Sequence, residues 1–154
     1  MCRDMHRQRG FTLLELIVTV SLVATFAAVA IARLSSSTQA NLSTNGDARR
    51  LALDLLQAQR RAISTGNNHY VEFTTSGGTI VSYTLYQRQG GSNVVADATH
   101  TFNTQITVTT SATDLEYQFD GTALASYTVT LAGPNMTYQV AVTASTGNVK
   151  VTKQ

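Results

Sequence analysis

With Cys2 as its one cysteine, the chain can close no intrachain disulfide. Charge is scarce as well: Asp, Glu, Lys and Arg make up 13% of the 154 residues, about half the usual share of a soluble domain. What charge there is has no strong sign over the body of the chain. Arg3, Arg7 and Arg9 against Asp4 place the whole formal excess of +2 in the first ten residues. A balanced remainder exerts no global pull on nucleic acid or acidic substrates.

Catalytic and metal signatures are missing too. No Gly-x-Ser-x-Gly elbow supports a hydrolase reading of His69, His100 and the scattered serines. There is no cysteine pair, and neither histidine stands at helical or finger spacing to another ligand. Gly77-Gly78 and Gly90-Gly91 lack the strand–turn–helix setting of a phosphate loop and read as hairpin turns. The sequence predicts no enzyme, no cofactor and no metal site.

What is present is a long apolar run near the start. Phe11 to Ala32 reads FTLLELIVTVSLVATFAAVAIA, with Glu15 as its only charge. About 20 helical residues span roughly 30 Å, the hydrocarbon thickness of a bilayer. The basic flank before it predicts a cytoplasmic N-terminus, with residues 33–154 sent outward. Ala30-Ile31-Ala32 offers a small-x-small site, so a secreted protein released after Ala32 is one alternative. A plain membrane anchor is another, and Glu15 argues against it, because a carboxylate in a bilayer demands a compensating partner.

The string Arg9-Gly10-Phe11-Thr12-Leu13-Leu14-Glu15 resembles the class III leader junction of type IV pilins and type II secretion pseudopilins. In that family a membrane aspartyl prepilin peptidase cuts after the glycine and methylates the new amine. The resemblance implies cleavage between Gly10 and Phe11, N-methylation of Phe11, and an assembly role for Glu15 at the acidic fifth position. Physically, an ammonium at an apolar helix end is costly away from water, and a carboxylate from this or a neighbouring subunit offsets that penalty. Many pilins carry a proline where this chain has Ala32, so a straighter helix is expected here.

Beyond Arg33, LSSSTQANLSTNGDA is polar, and Asn45-Gly46 is the expected break. Asp47 is then the expected N-cap of an amphipathic helix whose buried face carries Ala48, Leu51, Ala52, Leu55, Ala58, Ala62 and Ile63, with Gly66 as its stop. Arg49-Arg50 and Arg60-Arg61 are basic pairs on that helix. From His69 onward, alternating runs predict strands near 70–73, 80–86, 102–108, 115–119, 127–131, 136–142 and 149–151. Turns are expected at Gly77-Gly78, Gly90-Gly91, Asp120-Gly121, Gly133-Pro134-Asn135 and Thr146-Gly147-Asn148. Seven or eight strands with close turns imply antiparallel sheets in two layers.

The fold expected is α+β: a long N-terminal transmembrane or filament helix, then an antiparallel β-sandwich-like globular domain of the pilin type. Its parts would be a leader at 1–10, the apolar helix and its extension at 11–46, and an amphipathic helix with the β-rich domain at 47–154. A pilin helix followed by LDLLQAQRRAISTGNNHYVEF and an all-β body resembles the GspH/FimT group of minor pseudopilins and minor pilins. A major pilin's disulfide-closed loop is impossible here, and TASTGNVKVTKQ holds no carboxylate side chain for a major pseudopilin's calcium loop. That resemblance implies a structural subunit of a pseudopilus or pilus. Its partners would be prepilin peptidase, other major and minor pilins and secreted cargo, and its place the bacterial inner membrane with the C-terminal domain in the periplasm. The alternative is a minor pilin that binds DNA for transformation through Arg60, Arg61, Lys150 and Lys153, should these converge.

Overall fold

The computed structural model describes residues 12–33, 36–90 and 92–154. The expected leader, Phe11 and Gly91 of one expected turn lie outside the described residues. The chain divides into one unit ending at residue 35 and a compact second unit, Ser36–Gln154.

In the first unit Leu13–Arg33 forms α1, an uninterrupted helix that includes position 32. Its small polar side chains are satisfied within the helix. Thr19 Oγ1 donates to Leu16 O at 2.9 Å, Ser21 Oγ to Ile17 O at 2.7 Å and Thr25 Oγ1 to Leu22 O at 2.8 Å. No water is needed to partner them, which suits an apolar surrounding.

In the second unit α2 runs from Ser36 to Thr65 without a break. The expected interruption at Asn45-Gly46 does not occur, and Asp47 lies inside the helix instead of capping it. The reason is burial. Ala40, Thr44 and Ala48 are fully buried at four-residue spacing and carry the apolar stripe of Leu51, Leu55, Ala58 and Ala62 back beyond the glycine. Thr44 keeps its hydroxyl satisfied on Ala40 O at 2.7 Å. Packing of this stripe outweighs the roughly 1 kcal/mol that a helical glycine costs. Ile63 departs from expectation in the other direction and is exposed, one residue round the helix from buried Ala62. Gly66 ends α2 and donates its N–H to Ala62 O at 3.0 Å.

One prediction follows from the correction at Gly46. This glycine is exposed, and a Cβ built on it meets nothing within 4 Å. Gly46→Ala is therefore expected to stabilise the protein by about 0.5–1 kcal/mol in urea unfolding. Destabilisation would show that the helix bends there in solution.

Among the described residues nine strands follow: β1 (His69–Ser76), β2 (Thr79–Gln89), β3 (Ser92–Val95), β4 (His100–Thr101), β5 (Thr107–Thr110), β6 (Asp114–Tyr117), β7 (Tyr127–Ala132), β8 (Thr137–Val142) and β9 (Val149–Lys153). All pairings are antiparallel, in one sheet ordered β3-β2-β1-β6 with β4 also on β2, and another ordered β5-β7-β8-β9. The β1–β2 hairpin turns on Gly77 and Gly78, both at positive φ, as a two-residue hairpin requires. Of the single strand expected over 102–108 only Thr107 and Val108 are in one, at the start of β5; β4 ends at Thr101, and the chain turns at Asn103. Its Oδ1 accepts the N–H of Gln105 at 2.9 Å, an Asx turn that competes with the ladder.

α2 packs against strands of both sheets, and its Leu51 and Leu55 share one core with Val71, Leu115, Val129, Leu131 and Val140, all fully buried. Two tyrosines in this core, Tyr83 and Tyr117, have their ionisation pushed far up by burial, with the Asp54 carboxylate at 2.6 Å adding to the effect at Tyr83. A polar clasp crosses the first sheet. Buried Glu116 accepts from Asn68 Nδ2 and Arg88 Nε, each at 2.8 Å, while Arg88 lies 4.5 Å over the Tyr70 ring. The hydrogen bond to Glu116 raises the Arg88 pKa further, so the guanidinium keeps its charge at any working pH.

Candidate functional site

The expected processing site, Gly10-Phe11, lies outside the described residues; Glu15, the expected assembly residue, lies in the first turn of α1. Thr12 caps this helix. Its Oγ1 accepts the Glu15 N–H at 3.2 Å, and its carbonyl accepts the Leu16 N–H at 3.1 Å. The sequence signal was the Thr-x-x-Glu pattern of a capping box, which the reading of the leader junction passed over. Only the threonine half of the box forms. The Glu15 carboxylate makes no hydrogen bond or ion pair among the described residues, so within an otherwise self-satisfied helix it is left for an outside partner.

The rest of α1 offers only apolar surface. Leu13–Ile31 is long and apolar enough to cross a membrane, and every residue from Thr12 to Ile31 is exposed. Leu13 at 76%, Phe26 at 68% and Ile31 at 71% exposure mark a surface far beyond what water tolerates in one continuous patch. Such a surface requires a bilayer or other helices.

The four cations of the DNA reading do not form one cluster. Arg61 is engaged by the Ala96 carbonyl and by Asp97 at 3.6 Å. Arg60 is exposed on the next position of α2. Lys150 and Lys153 project from opposite faces of β9, since strand side chains alternate and Lys153 pairs with Tyr138 while Lys150 pairs with Ala141.

His69 and His100 both sit in structural roles. His69 is buried, its Nδ1 3.0 Å from Asn67 O. His100 Nε2 lies 3.2 Å from Asp47 Oδ1, tying β4 to α2, and its ring packs on Tyr83 and Phe102. No group of three metal-ligating side chains occurs among the described residues.

Comparison with known proteins agrees with this architecture. The prokaryotic N-terminal methylation motif matches residues 5–31, across the junction and α1. The family described as Type II transport protein GspH matches residues 47–147. No curated protein matches the chain. Among solved structures, the minor pseudopilin EpsH of the Vibrio cholerae Type 2 Secretion System is 15% identical, with a TM-score of 0.57 over 74% of this chain and 96% of its own. The type IV minor pilin FimU of Pseudomonas aeruginosa is 13% identical, with a TM-score of 0.57 over 75% of this chain and 89% of its own. At such identities these likenesses show a shared fold: an apolar helix followed by antiparallel sheets, α+β and pilin-like. With the GspH family matched across most of the compact unit and the methylation motif across α1, the chain belongs to the GspH family of minor pseudopilins and pilins.

Proposed function

We propose that the chain is a minor subunit of a type II secretion pseudopilus or a type IV pilus. Prepilin peptidase cuts it between Gly10 and Phe11 and methylates Phe11, α1 holds it in the inner membrane with residues 36–154 in the periplasm, and α1 then carries it into the filament among other pilins. The compact unit is left to contact neighbouring subunits and secreted cargo.

The observation that carries this reading is the state of Glu15. Every other polar side chain described within Leu13–Ile31 bonds a carbonyl of its own helix, whereas this carboxylate has no described partner. A plain anchor gains nothing from such a residue. A filament subunit gains a register, because the carboxylate pairs with a cationic amine only where the two helix ends meet in step.

Mass spectrometry of the N-terminus of protein isolated from its native membrane tests the proposal. The mature chain is expected to begin at N-methylated Phe11. A start after Ala32, or an intact residue 1, overturns it.

A further inference from the structure

Among the described residues β9 is an edge strand, paired only with β8. Gln154 N–H donates to Thr137 O at 2.9 Å and Thr143 N–H to Asn148 O at 3.0 Å. By antiparallel alternation the β8–β9 ladder therefore uses the even-numbered residues of β9. Val149, Val151 and Lys153 turn their backbone N–H and C=O groups to the open edge, where no described residue meets them. Their side chains point the other way round the pleat from Lys150, toward the side of buried Val140 and Val142.

Beside that edge lies an open groove of about 670 Å³ between α2 and the sheet, lined by Arg49, Ala52, Leu53, Tyr138, Val151 and Lys153. Leu53 also borders a second depression of about 380 Å³ with Leu56, Gln57 and Arg60. Arg49, Leu53, Leu56 and Arg60 follow helical spacing, so the two depressions form one strip along α2. Leu53 is 65% exposed in the middle of it.

The charges of the strip are unmatched. Arg50, Arg61 and Arg88 each have a carboxylate partner. Arg49 has only the Asn45 amide oxygen, at 2.8 Å, and neither Arg49, Arg60 nor Lys153 has a carboxylate partner among the described residues.

We propose that this strip and edge form a docking site for an extended segment of a partner protein whose α2-facing side chains, those of every second residue, are acidic at the two ends and apolar between. The segment adds to the second sheet as a strand on β9, about 4.8 Å beyond it. Its apolar side chains then lie on Leu53, Leu56 and Val151, and its carboxylates meet Lys153, Arg49 and Arg60 at the rim. Charge complementarity selects an acidic occupant, and the free ladder selects an extended one. Duplex DNA uses neither the exposed Leu53 nor the backbone edge. The site does not depend on processing at Phe11, so it stands apart from the filament assignment.

The test uses the full chain in detergent micelles and fluorescence anisotropy with four probes: a short blocked peptide carrying glutamate, leucine, leucine and glutamate at every second position with threonine between them, the same peptide with lysine for glutamate, the glutamate peptide N-methylated at alternate backbone amides, and a short DNA duplex. The acidic peptide is expected to bind, and N-methylation to weaken it about tenfold or more. Val151→Pro removes an outward donor without touching the β8 ladder and is expected to act like N-methylation. Arg49→Glu with Lys153→Glu is expected to transfer the preference to the lysine peptide, a reversal that misfolding cannot produce. Failure of the acidic peptide to bind overturns the proposal. So do indifference to N-methylation and to Val151→Pro, the absence of the reversal, and a duplex that displaces the peptide.

Discussion

Glu15→Val is expected to leave the protein processed and anchored yet reduce its presence in sheared filaments to background. The two halves of this result come from different physics. A carboxylate within an apolar helix opposes insertion by up to about 3 kcal/mol, so valine should hold the chain in the bilayer at least as firmly. The helix itself loses little. Thr12 caps the Glu15 backbone N–H, a bond that any side chain at position 15 permits, and the lost dipole interaction is worth about 0.3–1 kcal/mol. On the proposed pathway, cleavage between Gly10 and Phe11 precedes assembly and needs no carboxylate four residues downstream.

What valine removes is the only unpartnered polar group described in α1 and, on the proposed pairing, the register between subunits. Glu15→Gln separates charge from shape: on the pairing argument it behaves like valine, because an amide does not neutralise an ammonium. Glu15→Asp keeps the charge and is expected to restore part of the filament signal. Immunoblots of membrane and sheared fractions measure all three. Wild-type incorporation of the valine variant ends the argument, and retention of the ten-residue leader would redirect it from assembly to processing.

How much of this was legible in the sequence depended on how local each determinant is. The apolar run of α1, the Gly77-Gly78 hairpin and the stop at Gly66 are decided by neighbours in sequence, and all stand where expected. β3 was missed because Ser92–Val95 is exposed on both faces and leaves no alternation to read. Asn45-Gly46 reads as a break by its neighbours alone, whereas the longer stripe through Ala40, Thr44 and Ala48 carries the helical period across it. The Glu116 clasp and the groove beside β9 were out of reach in another sense. Asn68, Arg88 and Glu116 lie on separate elements, as do Arg49 and Lys153, and only the strand order brings each set together.

Gly147→Ala is expected to be the most damaging small substitution in the compact unit, at about 2–5 kcal/mol. Two penalties act together. Gly147 sits at φ 62°, where an L side chain is strained by about 1–2 kcal/mol. A Cβ there would also stand 2.2 Å from Gly121 O and 2.5 Å from Gln59 Nε2, with Tyr117 Cε1 at 3.1 Å. The backbone oxygen is the contact that cannot yield cheaply. Gln59 of α2 fastens two turns at this point, donating to Gly121 O at 2.8 Å and to Thr146 O at 3.0 Å. The methyl group would therefore force apart the turn after β6, the turn before β9 and the helix that joins them.

Gly90 supplies the control, since its φ is 47° but nothing lies within 4 Å of an added Cβ. Gly90→Ala should show the strain alone, and the difference between the two variants isolates the crowding. Removing the glutamine by Gln59→Ala should relieve only part of the Gly147→Ala penalty, because Gly121 O remains, so the double-mutant cycle is expected to show coupling well short of full rescue. Urea unfolding of the four variants beside wild type gives each term. A Gly147→Ala variant within about 1 kcal/mol of wild type would mean that the turn before β9 is not clamped onto α2, and the groove between that strand and the helix would lose its fixed wall.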